Sequence, residues 1–333
     1  MRTRARARVK GQFGHGINTE YFMVIIHNPQ IPLHPQAKLA LAIGVFDGMH
    51  RGHCALLERL KQVAQENHYA SAVITYTNHP AEILRSDQQT PMICSTEHKL
   101  TLLEQSKIDY IFLYTFDEVF ASQTAEHFLS KLMQVAPFVY LNMGHDGRIG
   151  KNRSGDQEHL IELSQKLHFT LEYMPPFHYQ DTIISSRTIR QLITEGNLNK
   201  VSMLLGRPYS IVGKVTTGIG AGKELGFPTA NIPVKGLVTP PAGVWAVEAL
   251  WDNHRRHAIA NLGFAPTVHK NRELFLEVHI PNYQNDLYGK TLEIIFHHYI
   301  RPEQRFENIT ALKQQLHQDV QAMKQYFKIQ TAV

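Results

Sequence analysis

The pattern of apolar residues changes near residue 206, and this change limits the chain to a fold of two parts. Before it, short apolar runs alternate with stretches of helical periodicity. Strands are predicted at residues 40–46, 71–76, 108–114 and 138–142. Two helices are predicted from apolar faces, formed by Leu56, Leu57, Leu60, Val63 and Ala64 and by Ala125, Phe128, Leu129, Leu132 and Met133. Strands alternating with helices form a parallel sheet, which binds ligands beyond the carboxyl ends of its strands.

After residue 206 the apolar runs are strand-like and are separated by Gly, Pro and Asn. They cover residues 209–215, 243–250, 258–262, 274–280 and 292–299. Helical periodicity returns at residues 310–327. This part is therefore predicted to be a β-barrel or sandwich with one terminal helix. A helix at residues 186–195, capped by Gly196, closes the first part, so domains are predicted at residues 23–206 and 207–333.

Composition excludes several classes of protein. Of the 333 residues, 43 % are hydrophobic and 19 % are charged, which is typical of a folded globular chain. No apolar run reaches the roughly 18 residues that would predict a membrane helix. The two cysteines, Cys54 and Cys94, are too few for a disulfide framework, which predicts free thiols and a cytoplasmic location.

Most of the net charge of +5 lies in a basic arm at residues 1–22, which holds five Lys or Arg residues against one Glu. The rest of the chain is nearly neutral, which disfavours nucleic-acid binding by the body. The arm has no apolar periodicity and is predicted to be disordered. Three interpretations stay open: an extension upstream of a start at Met23, a basic tail, or an Arg-rich targeting segment.

Residues 44–53, GVFDGMHRGH, carry the most informative motif. A predicted strand delivers Asp47 and Gly48 into a turn. His50 and His53 follow three residues apart, a spacing that places both on one face of a helical turn. A helix N-terminus offers N–H groups and partial positive charge to a phosphate, and the glycine between the histidines leaves room for a nucleotide. A metal site and a pair of surface histidines are the alternatives that this pattern leaves open.

The His-x-Gly-His turn resembles the signature of the nucleotidyltransferase superfamily, and its longer form resembles the bacterial bifunctional riboflavin kinase/FAD synthetase family. Residues 184–190, ISSRTIR, are similar to a second signature of that superfamily. The resemblance implies catalytic roles for His50 and His53. It implies ATP or phosphate contacts for Gly44, Phe46, Asp47, Gly48, Gly52, Ser185, Ser186 and Arg190, and flavin contacts for Asn78, His79, Pro80 and Asp146. The chain departs from the family at Gly147 and Ile149, where relatives carry aromatic residues.

Residues 218–231, GIGAGKELGFPTAN, carry the second motif. They are not a Walker A loop, because Thr217 stands at the first glycine position and Glu224 stands where Ser or Thr would bind magnesium. They are not a dinucleotide fingerprint either, because position 223 is Lys. The PTAN tetrapeptide and its surroundings resemble flavokinases. Further matches follow in the order of that family at residues 243–244, 261–267, 276–279, 286–290 and 301–306.

The flavokinase resemblance implies that Thr229 and Asn231 ligate Mg²⁺. It also implies ATP contacts for the flap residues Gly218, Gly220, Gly222 and Lys223, and a flavin contact for Arg301. Strand alternation places Glu277 on the face opposite its two apolar neighbours. That pattern alone favours a solvent-facing carboxylate, whereas the resemblance implies the base of the kinase.

These motifs predict an α/β chain, with a Rossmann-like nucleotidyltransferase domain built on a parallel sheet, then a flavokinase-type antiparallel β-barrel with a terminal helix. The predicted function is ATP-dependent phosphorylation of riboflavin to FMN and adenylylation of FMN to FAD with release of pyrophosphate. Riboflavin, FMN and ATP are the predicted partners, Mg²⁺ is the predicted cofactor, and no membrane partner is expected. Two alternatives stay open: mainly a riboflavin kinase with an impaired adenylyltransferase domain, and a flavin- or nucleotide-binding regulator.

Overall fold

The computed structural model describes residues 5–6, 23–29, 38–84, 90–217, 222, 225–264 and 274–331. Internal packing divides the chain into two compact units. The first comprises residues 1–90 and 99–185, and the second comprises residues 91–98 and 186–333. Residues 186–205 thus group with the second unit, and the domain boundary expected near residue 206 stays a prediction.

The first unit is built on one sheet. Its strands are β1 (Ala5–Arg6), β2 (Val24–His27), β3 (Leu39–Ile43), β4 (Ala70–Tyr76), β5 (Tyr110–Tyr114), β6 (Phe138–Gly144) and β7 (Thr170–Met174). They lie in the order β1-β2-β5-β4-β3-β6-β7. All neighbours from β2 to β7 are parallel, whereas β1 pairs antiparallel with β2. Every residue of β3 is buried because both faces of the sheet are covered.

Helices of this part of the chain connect the strands. They are α1 (Arg51–Glu66), α2 (Pro80–Leu84), α3 (Thr96–Gln105), α4 (Glu118–Ala121), α5 (Ala125–Val135) and α6 (Gln157–Lys166). The apolar face predicted for α1 is buried at all five positions, which confirms it. A small hairpin, β8 (His178–Tyr179) with β9 (Thr182–Ile183), follows the sheet.

Two apolar cores cover the two faces of the sheet. One contains Phe128 and Leu129 of α5 with Leu160 of α6. The other contains Leu57 and Leu60 of α1, packed against the opposite faces of the same strands. Burial of α1 along this face fixes the position of its N-terminus above the end of β3.

The second unit contains two helices, a six-stranded sheet and a long terminal helix. These are α7 (Ser186–Thr194), α8 (Leu198–Leu205), β10 (Ser210–Lys214), β11 (Thr229–Pro233), β12 (Gly243–Trp251), β13 (His254–Phe264), β14 (Leu274–His279), β15 (Thr291–Arg301) and α9 (Ile309–Thr331). The strands are antiparallel in the order β10-β15-β12-β13-β14-β11. A bridge between Thr216 and Asn231 links the two edges, so the sheet is a nearly closed barrel.

The terminal helix packs on the barrel through apolar side chains. Val320, Met323 and Phe327 of α9 lie in one cluster with Phe227 and Ile259. The parallel-sheet domain, the antiparallel barrel and the terminal helix confirm the predicted fold class.

Several short elements were not predicted. β11 begins directly after Pro228 and ends at Pro233, which hides its strand character in the sequence. α8 starts two residues after Gly196, which has φ +77° and terminates the preceding helix. Of the basic arm, the structure describes only Ala5–Arg6. The other residues for which disorder is predicted lie outside the described residues. Among described residues, no helix is long and apolar enough to cross a membrane.

Candidate active sites

The histidine turn connects β3 to α1 through three residues with positive φ. Phe46 (φ 52°), Gly48 (φ 74°) and Met49 (φ 42°) all lie in the left-handed region, which side chains disfavour. The Met49 N–H donates to the Phe46 carbonyl at 3.3 Å and closes the turn. Backbone strain of this kind persists only where the surroundings fix the chain, and it concentrates at functional sites.

The two histidines that the motif predicts to be neighbours do lie against each other. His50 is the N-cap of α1, and its Nδ1 accepts a hydrogen bond from the His53 backbone N–H at 3.2 Å. The two rings stack with centroids 3.6 Å apart and planes 13° apart. Because Nδ1 is an acceptor, a neutral His50 carries its proton on Nε2. Both imidazoles therefore stand at a helix N-terminus, which favours an anion.

His53 is held in its neutral form. Burial, followed by the nearby His50 and Lys99, lowers the pKa of His53 well below its ordinary value of 6.5. Its Nδ1 is buried without a hydrogen-bond partner among the described residues. A phosphate oxygen would supply the missing partner, and its negative charge would favour the protonated, donating imidazole.

Small residues keep the space around this pair open. A Cβ on Gly52 would lie 3.2 Å from the His50 ring and 3.4 Å from the Phe177 Cβ. A Cβ on Gly44 would lie 3.1 Å from the Phe46 ring, whose centroid is 5.2 Å from that of His53. Asp47, 1 % exposed, stands in the short 3-10 turn between them. The phosphate contacts of these residues stay predictions.

The predicted flavin segment after β4 is tied to its neighbouring loop. The Asn78 Nδ2 donates to the Phe116 carbonyl at 2.9 Å, and the Phe116 N–H donates to the Asn78 Oδ1 at 2.9 Å. His79 Nδ1 accepts from the Ala81 N–H at 3.0 Å, where Pro80 begins α2. Asn78 therefore joins the loops that follow β4 and β5. Flavin contacts by Asn78, His79 and Pro80 stay predictions.

Aromatic residues stand beside this segment. The ring of Tyr76 meets those of Phe116 and Phe120 edge-on, at centroid distances of 5.4 and 5.6 Å. The loop in which relatives carry aromatic residues packs differently. A Cβ on Gly147 would lie only 2.8 Å from the Met143 Cε, and Ile149 is buried in the apolar core. Tyr76 is part of the apolar core of the sheet, and Phe116 and Phe120 pack against that core.

The other residues predicted from the first motif lie in two places. Asp146 lines a charged cavity of about 280 Å³ together with Arg148 and Arg153. Ser186 begins α7, and the Arg190 Nε donates to the Pro91 carbonyl at 2.8 Å, within the second unit. Contacts of Asp146 with flavin, and of Ser185, Ser186 and Arg190 with phosphate, stay predictions.

In the barrel, three neighbouring strands bring polar side chains into one row. Asn231 of β11 pairs with Glu277 of β14, which pairs on its other side with Asn261 of β13. Paired residues project from the same face of a sheet. Thr229 lies two residues before Asn231 and shares that face. The structure therefore brings Thr229, Asn231 and Glu277 together, whereas the part played by Asn261 was missed.

Glu277 lies in an environment that strengthens it as a base. Burial, followed by the negative charge of Glu303, raises the pKa of Glu277 above its ordinary value of 4.5. Asn261 Nδ2 lies 3.5 Å from the Glu303 Oε1. A Cβ on Gly263 would clash with that same oxygen, so the glycine lets the carboxylate of Glu303 approach the sheet.

Part of the predicted flap can be placed. The Phe227 N–H donates to the Gly222 carbonyl at 2.8 Å. A Cβ on Gly222 would clash with the Phe227 carbonyl oxygen and would lie 3.4 Å from the Thr229 Oγ1. Glycine is therefore required where the flap meets the predicted metal ligand. Gly218, Gly220 and Lys223 lie outside the described residues.

Arg301, expected to contact flavin, is engaged by an acidic partner. Its Nε and Nη2 donate to the two carboxylate oxygens of Asp319, both at 2.8 Å. Asp319 is 1 % exposed and also accepts from the Gln315 Nε2 at 2.9 Å. This bidentate pair joins β15 to α9. The flavin role of Arg301 stays a prediction, and its observed task is to fasten the terminal helix.

Sequence reasoning missed Asn261, Glu303 and Lys99. Asn261 becomes recognisable only through its cross-strand register with Glu277, and Glu303, which follows β15, only through its contact with Asn261. Lys99 lies in a helix whose sequence is largely polar, yet its side chain is 0 % exposed. A periodicity argument assigns such a lysine to solvent.

A histidine pair at the N-terminus of the helix after a parallel strand, and a polar row on an antiparallel barrel, define a two-domain, phosphate-handling transferase. Family models agree with each part: FAD synthetase matches residues 33–188, and riboflavin kinase matches residues 205–327. The chain belongs to the bifunctional riboflavin kinase/FMN adenylyltransferase family.

Relatives support this assignment, and a solved structure shares the fold. The bifunctional riboflavin kinase/FMN adenylyltransferase of Escherichia coli K12 is 35 % identical over 304 residues, which cover 91 % of this chain and 96 % of the relative. The Bacillus subtilis 168 enzyme of the same name is 31 % identical over 308 residues, covering 91 % and 97 %. A crystal structure titled as a macrolide-efflux protein from Streptococcus pneumoniae is 25 % identical, with a TM-score of 0.76, and covers 90 % of this chain and 98 % of that one.

The Arg301–Asp319 pair generates a stability prediction. Arg301→Met is expected to lower the free energy of unfolding by about 3–5 kcal/mol, because it leaves a buried carboxylate without its cation. Chemical denaturation followed by circular dichroism measures the loss. In the matched control, Arg301→Met with Asp319→Leu, part of the stability is expected to return. An Arg301→Met variant with unchanged stability but weakened riboflavin binding would instead favour the flavin contact.

Proposed function

We propose that the chain phosphorylates riboflavin to FMN in its barrel and adenylylates FMN to FAD in its parallel-sheet domain, using ATP in both steps. The observation that carries this proposal is that each family match contains the residues proposed for the corresponding reaction. The FAD synthetase match contains the stacked His50 and His53, and the riboflavin kinase match contains Thr229, Asn231 and Glu277. Both activities are in the names of the relatives.

Phosphorylation requires a base. The terminal ribityl hydroxyl of riboflavin attacks the γ-phosphorus of ATP, the bond to the bridging oxygen breaks, and ADP leaves. The hydroxyl proton must be accepted as the new O–P bond forms, and Glu277 is the carboxylate placed for it. Its raised pKa makes it a stronger base than an exposed glutamate.

The oxygen donors of the barrel fit Mg²⁺. Thr229 and Asn231 present hydroxyl and amide oxygens from one strand face, beside Glu277. Magnesium commonly takes one or two protein ligands and completes its shell with water and phosphate oxygens. Among the described residues no group of three or more His, Cys, Asp or Glu is arranged to hold a metal. When bound, the ion would neutralise charge on the transferring phosphoryl group.

Adenylylation needs no general base, because the attacking FMN phosphate is already anionic. Its oxygen attacks the α-phosphorus of ATP, and pyrophosphate leaves with the bonding electrons. The difficulty is to hold two anions together. The N-terminus of α1, the Nε2–H of His50 and the imidazole of His53 would bind the triphosphate and stabilise the departing charge.

The two alternatives are not favoured. An impaired adenylyltransferase would be expected to have a disrupted histidine turn. In this structure the two imidazoles stack, and the buried Nδ1 of His53 has no hydrogen-bond partner among the described residues. A protein that only binds flavin or nucleotide does not require Thr229, Asn231 and Glu277 on one face of the barrel. Cys54 and Cys94 form no disulfide, which fits the proposed cytoplasmic location.

The function is tested with purified protein, riboflavin, ATP and Mg²⁺, with the flavins separated by chromatography. FMN is expected first and FAD later. An end point at FMN would remove the proposed adenylyltransferase. Bound flavin without any conversion would favour the regulator.

Glu277→Gln is expected to lower FMN formation by roughly 100-fold or more, because the amide cannot accept the proton. FAD formation from supplied FMN is expected to stay at the unaltered rate. Initial rates with each substrate check this, with the exposed Glu307→Gln as matched control. Parallel loss of both steps would contradict the assignment of Glu277 to the kinase alone.

His53→Ala is expected to show the reverse pattern. Adenylylation of FMN should fall by about 100-fold, because one preorganised contact to the triphosphate is lost, while FMN formation from riboflavin continues. The exposed His127→Ala serves as the matched control. The rates of FMN and FAD appearance are followed together; retained FAD synthesis would remove the role given to His53.

The raised pKa of Glu277 predicts the pH dependence of the kinase. The base must be ionised, so the riboflavin kinase rate should fall on acidification with a midpoint above 4.5, the ordinary value for this carboxyl. Glu303→Gln removes a like charge, lowers the pKa of Glu277 and should shift this midpoint to lower pH. Profiles of kcat/KM against pH measure it, with FMN adenylylation as the internal control. An unchanged midpoint would show that Glu303 does not act on the base.

A further inference from the structure

A buried lysine lies at the point where the two proposed substrate segments of the first unit begin. Lys99 of α3 is 0 % exposed. Its Nζ donates to the Val45 carbonyl at 3.1 Å and to the Tyr76 carbonyl at 2.7 Å. Burial of an ammonium group is unfavourable unless its N–H groups are hydrogen-bonded, so these carbonyls are what makes the position tolerable.

The two carbonyls belong to different strand ends. Val45 follows β3 and directly precedes the histidine turn. Tyr76 is the last residue of β4 and precedes the flavin segment at Asn78. β3 and β4 are paired neighbours, so their carboxyl ends lie side by side. One ammonium group therefore joins the segment proposed to hold ATP to the segment proposed to hold flavin.

The Val45 carbonyl is held from a second direction as well. Thr75 of β4, 0 % exposed, donates its hydroxyl to the same oxygen at 3.0 Å. Two donors on one carbonyl restrict rotation of the peptide that joins Val45 to Phe46. That peptide sets the positive φ of Phe46, where the reversal towards His50 begins. The strained turn is thus fixed from beneath by side chains of β4 and α3.

The charge of Lys99 also reaches the imidazole pair. After burial and His50, Lys99 is the third cause that lowers the pKa of His53. A positive charge below the turn adds to the partial charge of the α1 N-terminus, and both favour binding of a polyanion. Lys99 thus influences the site by geometry and by charge.

We propose that Lys99 is a positioning residue for FMN adenylylation: its ammonium group fixes the histidine turn and the flavin segment relative to each other, and so aligns the flavin phosphate with the α-phosphorus of ATP. This inference rests on the proposed roles of His50 and His53. Misalignment of the two phosphates destabilises the transition state more than the bound substrates. Loss of Lys99 is therefore expected to lower kcat more than it raises KM.

The experiment compares Lys99→Met, which removes the charge and both donors, with Thr75→Val, which removes one neutral donor to the same carbonyl. In the full chain, Lys99→Met is expected to lower kcat for FMN adenylylation by about 100-fold, with a smaller change in the KM values for ATP and FMN. Thr75→Val is expected to lose less. Riboflavin phosphorylation by the same molecules is the internal control and should change by less than about twofold.

The titration of His53, followed by NMR and assigned with His53→Ala, separates positioning from mere stabilisation. In the unaltered protein the pKa of His53 should lie well below 6.5, and in Lys99→Met it should rise while Thr75→Val leaves it in place. Normal adenylylation in Lys99→Met, or a fall in stability without change in kcat or in the His53 titration, would overturn the proposal.

Two results separate this inference from the proposed function. Should Lys99→Met fail to fold, Thr75→Val, which removes the other donor to the Val45 carbonyl, still tests the anchoring of the turn, and an unchanged kcat for FMN adenylylation in that variant would contradict the proposal. An active His53→Ala enzyme would refute the proposed role of the histidines. An inactive His53→Ala enzyme beside a fully active Lys99→Met enzyme would refute only the inference on Lys99.

Discussion

A parallel sheet brings the carboxyl ends of its strands to one edge, and the first site depends on how the chain turns back there. The Gly44 N–H still donates to the Ile74 carbonyl at 3.1 Å, which keeps the chain paired with β4 just beyond β3. Within six residues the chain then reverses and starts α1 at His50. Because Leu57 and Leu60 bury α1 against the sheet, its axis is fixed, and the place of its cap follows. The position of the imidazoles is thus a result of strand pairing and helix burial together.

The second unit also has to position groups proposed to bind phosphate, but it does so without a helix terminus. Here the groups proposed to face phosphate and hydroxyl stand on strands, and strand register determines whether they lie together. A slip of one residue between β11 and β14 would turn Glu277 to the other face and leave Asn231 opposite an apolar residue. His279 Nδ1 donates to the Pro228 carbonyl at 2.9 Å and ties the entry of β11 to the end of β14. One chain therefore handles two phosphoryl chemistries with two different kinds of backbone support.

The sequence was sufficient where periodicity and motif agree. The face of α1 formed by Leu56, Leu57, Leu60, Val63 and Ala64 was predicted in full, as was the change from a parallel sheet to a barrel. The proximity of His50 to His53 followed from their spacing, although His50 caps the helix instead of lying within it. Thr229 and Asn231 were found by motif even though the strand that carries them was not.

What the sequence could not supply depends on long-range partners. The pairing of Arg301 with Asp319 joins a strand to a helix, and nothing local distinguishes it from a ligand contact. Lys99 is buried only because carbonyls from two distant strands receive its protons. The amide of Asn78 became interpretable only once the Phe116 backbone was seen opposite it. In each case the missing information is which segments meet in space.

His50 both caps α1 and belongs to the imidazole pair, and this affects how the activities of His50 and His53 variants can be compared. Its Nδ1 closes the first turn of α1, while its ring stacks on that of His53. Replacing His50 therefore combines the fraying of a helix with the removal of an imidazole, and the rate deficit of such a variant is the product of both. His53 has no capping task, so its replacement isolates the imidazole. An asparagine at position 50, which can still accept from the backbone, would tell the two contributions apart.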